Sequence, residues 1–154
     1  MRRNGFTLIE IVFAMAILAV AALSMFMLNR SSNQQAMDSY YEFLAFSLAR
    51  EPIEVFRGFG YDNLRMIVDG NVSPPAGYKI NSMQDLDFDP FSPIQYPAEA
   101  TMFKRLIELK PVSHGDLNAI QIKVTVAARS SSRIEVWMKN RTVTLESLIL
   151  ERPR

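Results

Sequence analysis

Residues 6–28 form an apolar run of 23 residues in which only Thr7, Glu10 and Ser24 are not apolar, and neither Pro nor Gly interrupts it. At 1.5 Å per residue, a helix of that length measures about 34 Å, the thickness of a bilayer's hydrocarbon core. The segment is therefore expected to cross a membrane once. Arg2 and Arg3 precede it and the next basic residue is Arg30. That asymmetry keeps the short basic end in the cytoplasm and places the large remainder outside.

Beyond this span, a chain of 154 residues has room for one ordinary domain. Lys+Arg 17 against Asp+Glu 16 removes the electrostatic case for a nucleic-acid partner. The absence of cysteine excludes a disulfide framework, and with a single histidine no transition-metal set can be assembled. That histidine, His114, is followed by Gly115 and Asp116 and reads as a turn residue, not a catalytic base. The sequence has no phosphate-binding glycine loop and no nucleophile elbow. A non-enzyme without a cofactor or metal is expected.

Three fates compete for the N terminus. An ordinary secretory signal would use Arg2 and Arg3 as its basic region and Ala19-Val20-Ala21 as its cleavage site, giving a mature terminus at Ala22. A plain single-span anchor would tolerate Glu10 only near the interface. In either case a carboxylate inside the inserting core costs up to about 3 kcal/mol with no return. The third fate is read from the order of the residues around Glu10.

The order Arg2-Arg3-Asn4-Gly5, then Phe6-Thr7-Leu8-Ile9-Glu10, then the unbroken apolar helix resembles the leader and mature N terminus of type IV pilin-like proteins. That family covers type IV pilus subunits and the pseudopilins of type II secretion and competence systems. The resemblance implies cleavage after Gly5 by a prepilin peptidase, N-methylation of Phe6, retention of the whole helix, and an assembly role for Glu10 as the fifth mature residue. It also implies other pilin or pseudopilin subunits, the peptidase and an inner-membrane assembly platform as partners. The expected location is the inner membrane, single-pass, with the C-terminal part in the periplasm or cell exterior. The length after cleavage, the missing C-terminal disulfide loop and the short sheet favour a minor pilin or pseudopilin at a tip or acting as initiator. The alternative from another class is a membrane-anchored exported domain that binds a ligand or sensor partner without polymerising.

The division expected is leader 1–5, transmembrane helix half 6–29, exported helix half 30–58 and a β-rich globular part 59–154. Met37, Tyr40, Tyr41, Leu44 and Leu48 recur at helical spacing, while Phe43, Ala45 and Phe46 widen the apolar surface nearly all round. Such a helix is expected to be buried, either as an amphipathic helix on its own globular core or with a second face packed against helices of other subunits. Residues 47–64 resemble, more loosely, the helix end and exit of minor pilins and the smaller pseudopilins. Pro52 departs from that pattern and predicts a kink or early stop. Gly58 and Gly60 supply punctuation in any case.

Residues 65–100 are rich in turn chemistry, with Asp69-Gly70-Asn71, Pro74-Pro75-Ala76-Gly77 and later Pro90, Pro93 and Pro97. Only residues 78–83 suggest a strand there. Asp85, Asp87 and Asp89 alternate and raise the question of calcium, but Pro90 and Tyr96 stand where the helix-loop-helix calcium motif needs Gly and Glu. A solvated acidic loop is the simpler reading. Residues 101–110 are ambiguous, since Pro97 and Glu99 suit a helix start whereas the family resemblance favours a strand, which we adopt. Ile120, Ile122, Val124 and Val126 alternate with polar residues, as do Ile134, Val136 and Met138; Ser130 to Ser132 and Asn140 mark turns, and residues 143–150 return. Trp137 is expected to cover the sheet edge. The fold class expected is α+β, a long N-terminal helix packed on a C-terminal antiparallel sheet of about four strands.

Overall fold

A computed structural model of the chain describes residues 7–87, 94–114, 117–130, 134, 138 and 142–152. The chain has two compact units, residues 1–40 and 41–154. One helix, α1 (Leu8–Val68), contributes to both. In the first unit it is the apolar run itself, and none of its most apolar window is buried. Its polar interruptions are satisfied locally: the Ser24 hydroxyl donates to the Val20 carbonyl at 2.9 Å, one turn back.

In the second unit α1 buries one side, through Leu44, Ala45, Leu48, Ala49, Pro52, Ile53 and Phe56. Spacings of three and four place these residues on one face. The side chains it meets come from a four-stranded antiparallel sheet in the order β1 (Met83–Asp85), β2 (Phe103–His114), β3 (Leu117–Ala128) and β4 (Thr142–Leu150). Phe103, Ile107 and Leu109 on β2 and Ile120, Ile122, Val124 and Val126 on β3 are buried, as strict alternation requires of a half-covered sheet. The outer face carries a row of charge, Glu108 opposite Lys123 opposite Glu146.

The expected stop at Pro52 does not occur. The helix runs through it with the ring buried, and the one non-helical residue inside α1 is Gly60, at φ 74 and ψ 170. That backbone region is essentially reserved for glycine. A Cβ at position 60 would meet nothing within 4 Å, so Gly60→Ala is expected to cost about 1–3 kcal/mol purely through the backbone. Amide exchange of the β2–β3 core would read it as a loss of global stability, and an unchanged stability would mean that the break at 60 is not required. The helix then ends as turn chemistry predicted. Gly70 takes φ 78, its N–H donates to Ile67 O at 3.2 Å, and Asn71 N–H donates to Met66 O at 2.9 Å. This is the paired closure of a Schellman cap.

Two strand expectations are corrected. The strand sought in residues 78–83 lies further on, at Met83–Asp85, and Ile80 makes only an isolated bridge to Ile107. Ile134 and Met138 do not belong to a strand: Met138 N–H donates to Ile134 O at 2.8 Å, the i to i−4 bond of a helix, and both side chains are buried. A separation of four satisfies both the strand period of two and one helical turn, so the pattern could not choose. Val136, Trp137 and Asn140 lie outside the described residues. Residues 98–110 combine both readings, a 3₁₀ turn over Ala98–Met102 behind Pro97 followed directly by β2.

Candidate functional site

At the membrane end, Gly5 and Phe6 lie outside the described residues. Glu10 stands in the first turn of α1, exposed, and the Thr7 N–H approaches its Oε2 at 3.5 Å while Glu10 N–H donates to Thr7 O at 3.0 Å. A carboxylate there faces the unpaired amides and the positive end of the helix dipole. From Leu8 to Leu28 the large apolar side chains are exposed, for example Phe13, Ile17 and Leu28. This half of the helix buries nothing of its own and is suited to lipid or to other helices.

The second constellation was not anticipated from the sequence. Arg105 belongs by parity to the inner face of β2, with Phe103, Ile107 and Leu109, and it is buried. A cation at an inward position of an alternating strand was the available signal. Its Nη1 donates to Glu51 Oε2 at 2.7 Å and to the Leu48 carbonyl at 3.2 Å, and its Nη2 donates to the Tyr96 hydroxyl at 2.9 Å. The guanidinium carbon lies 5.3 Å from the Tyr78 ring centre and 5.5 Å from that of Tyr96, within cation–π range. Both tyrosine hydroxyls donate to Glu51, Tyr78 to Oε1 and Tyr96 to Oε2.

This arrangement explains how Pro52 fits. Proline has no N–H, so the carbonyl four residues earlier loses its helical donor. That carbonyl is Leu48 O, and Arg105 supplies the missing hydrogen bond. Glu51, the residue before the proline, then neutralises the arginine. Helix, sheet and the two tyrosines Tyr78 and Tyr96 are thereby tied at one point. The carboxylate accepts from Tyr78, Tyr96 and Arg105 together, and so serves as a structural pin.

Burial first, and then its hydrogen bond to Glu51, hold the Tyr78 phenol well above its ordinary value. The folded state therefore keeps a proton that the unfolded chain releases near pH 10. Stability is complete below that pH and falls as pH rises beyond it. An alkaline titration of unfolding should show this fall, and Tyr78→Phe should flatten it; an unaltered slope would remove Tyr78 from the account.

Of the acidic triplet, Asp85 and Asp87 share an ion pair with Arg129, at 3.3 Å and 2.7 Å, and Asp89 lies outside the described residues. His114 ends β2, opposite Leu117 across the hairpin.

Comparison with known families places the decisive signal at the N terminus: the family model of the prokaryotic N-terminal methylation motif matches residues 1–26. The chain carries a type IV prepilin-like signal. No curated protein and no solved structure matches the chain significantly. The motif supports a type IV pilin-like protein processed as a prepilin, of a kind whose members are structural subunits and not enzymes. It suggests association with other pilin subunits and with prepilin peptidase. With the apolar run of α1, it fits a single-pass membrane-anchored protein. The one long helix packed on a four-stranded antiparallel sheet is consistent with an α+β pilin fold.

Proposed function

We propose that this pilin-like chain is a minor subunit of a type IV pilus or type II secretion pseudopilus, cut after Gly5, N-methylated at Phe6 and held in the filament or its tip by helix packing. The observation that carries the reading is the methylation motif at residues 1–26, continuous with a helix that leaves its apolar residues exposed. The exported part of α1 adds support. Its sheet-facing side is covered, yet Phe43 is 70% exposed and Phe46 44%, a second apolar side of the kind that helices of neighbouring subunits would cover.

In this reading the precursor waits in the inner membrane with residues 1–5 on the cytoplasmic side, and loss of the leader removes Arg2 and Arg3 from the span's flank. In cells containing prepilin peptidase, N-terminal mass spectrometry should find a methylated Phe6. Gly5→Ala or a bulkier residue should leave the precursor intact, because a side chain there blocks close approach to the scissile backbone. A mature terminus at Ala22 would establish an ordinary secretory signal. Normal processing without filament association would favour the membrane-anchored binding domain.

A further inference from the structure

β4 is an end strand of the sheet, and no described strand lies beyond it. The direction of its free hydrogen-bonding groups follows from one contact: Glu151 N–H donates to Asn118 O at 2.9 Å, in the same register that pairs β4 with β3. In an antiparallel strand each residue aims its N–H and C=O at one neighbour and the next residue aims at the other. Val143, Leu145, Ser147 and Ile149 therefore address β3. Thr142, Thr144, Glu146, Leu148 and Leu150 turn their backbone groups to the open side.

Exposed edges are normally blunted by shortness, by proline, lysine or a bulge. β1 at the opposite edge has three residues. β4 has nine, contains neither proline nor lysine, and keeps an unbroken register from Ala119↔Leu150 to Ala127↔Thr142. Its inner side chains Val143, Leu145 and Ile149 are only half-buried against the core, and Leu148 on the outer face is 50% exposed. Among the described residues the edge thus lacks a neighbour both in hydrogen bonds and in apolar cover.

The outer face says what kind of neighbour fits. Glu108, Lys123 and Glu146 stand directly opposite one another across β2, β3 and β4, with Lys123 Nζ 3.3 Å from Glu146 Oε1. The row alternates in sign and ends at the edge on a carboxylate. Pairing of two copies centred on Glu146, the middle residue of β4, would set carboxylate against carboxylate, which is unfavourable. We propose that the free edge of β4 takes up an extended segment of a different protein chain, apolar at alternate residues and basic at the position opposite Glu146. Backbone bonds supply the attraction, and the inner apolar residues with the basic one supply selection. The inference rests on the sheet alone and holds whichever way the N terminus is processed.

The test uses the full chain in detergent and, as probe, a synthetic peptide of residues 117–128, which carries alternating Ile120, Ile122, Val124 and Val126 and offers Lys123 to a facing glutamate. Binding should slow amide exchange at Thr144, Glu146 and Leu148. Leu148→Pro removes an outward N–H without touching the β3 ladder, and should weaken binding about tenfold or more while Val143, Leu145 and Ile149 amides stay protected. A peptide with Lys123→Glu should bind about fivefold more weakly, and Glu146→Lys, which leaves the backbone untouched, should invert the preference. Three results would each overturn the proposal: no slowing at the outward amides, a peptide preference indifferent to Glu146→Lys, or self-pairing of the chain through β4. Binding unaffected by Leu148→Pro would mean exchange for the native β3 and would overturn it equally.

Discussion

Arg105→Ala is expected to raise the exchange rate of the slowest β3 amides by about a hundredfold. The figure follows from what the substitution strands. Arg105 donates to Leu48 O, which Pro52 has deprived of its i+4 helical donor, and it is the cation against Glu51. Removing one member of a buried pair costs about 3–5 kcal/mol. Glu51 is one-third exposed and partly rehydrates, so the lower end of that range applies, about 3 kcal/mol or roughly a hundredfold. The same loss would be a large part of an ordinary domain's stability of about 5–15 kcal/mol.

Arg105→Lys should recover little, because one ammonium cannot serve Glu51, Leu48 O and Tyr96 in a planar fork. Pro52→Ala supplies the sharper diagnosis. In the Arg105→Ala background it returns an N–H to Leu48 O and should recover about 1 kcal/mol. In the wild type it should gain less, since the carbonyl is already served. Additive effects in this double-mutant cycle would show that Arg105 and Pro52 act independently, contrary to the geometry.

Glu10→Ala is expected to leave membrane insertion and cleavage after Gly5 intact and to reduce incorporation into a filament or tip complex about tenfold or more. On the proposed reading Glu10 lies within the span, apart from the exported domain, whose fold would not depend on it. Its local partner, the Thr7 amide at 3.5 Å, is long for a hydrogen bond. A carboxylate some four residues into an apolar span is retained at a cost. Pairing with a Phe6 amine of a neighbouring subunit would recover that cost at one axial register and penalise every other. Cleavage, membrane fraction and filament co-purification measured on one mutant separate the steps. Normal co-purification with Glu10 removed would defeat the register argument.

The polar pin at Arg105 and the open edge at β4 belong to different levels of information. Arg105 could have been suspected, since strand parity puts it among Phe103, Ile107 and Leu109. Nothing in the sequence pairs it with Glu51, which lies 54 positions away. The pattern at Ile134 and Met138 was legible as buried residues but not as an element, because a spacing of four fits a helical turn as well as a strand. The early stop that Pro52 offered as an alternative to a kink did not occur, for a related reason. Local chemistry predicts a break wherever a carbonyl is left without a donor, and the donor here arrives from another part of the chain.

The sequence by itself determined whatever rests on runs and periods: the membrane-length helix, the prepilin-like motif around Gly5 and Glu10, the alternating strands β3 and β4, and the glycine punctuation at Gly60 and Gly70. These follow from backbone sterics and from apolar surface that must be covered, both written in neighbouring residues. Only the tertiary structure decided which residues of opposite charge meet in the core, how a proline sits inside α1, and which strand is left at the edge. Each of those depends on contacts between residues far apart in the chain, and a hydrogen bond or ion pair acts only over a few ångströms once folding has brought its partners together.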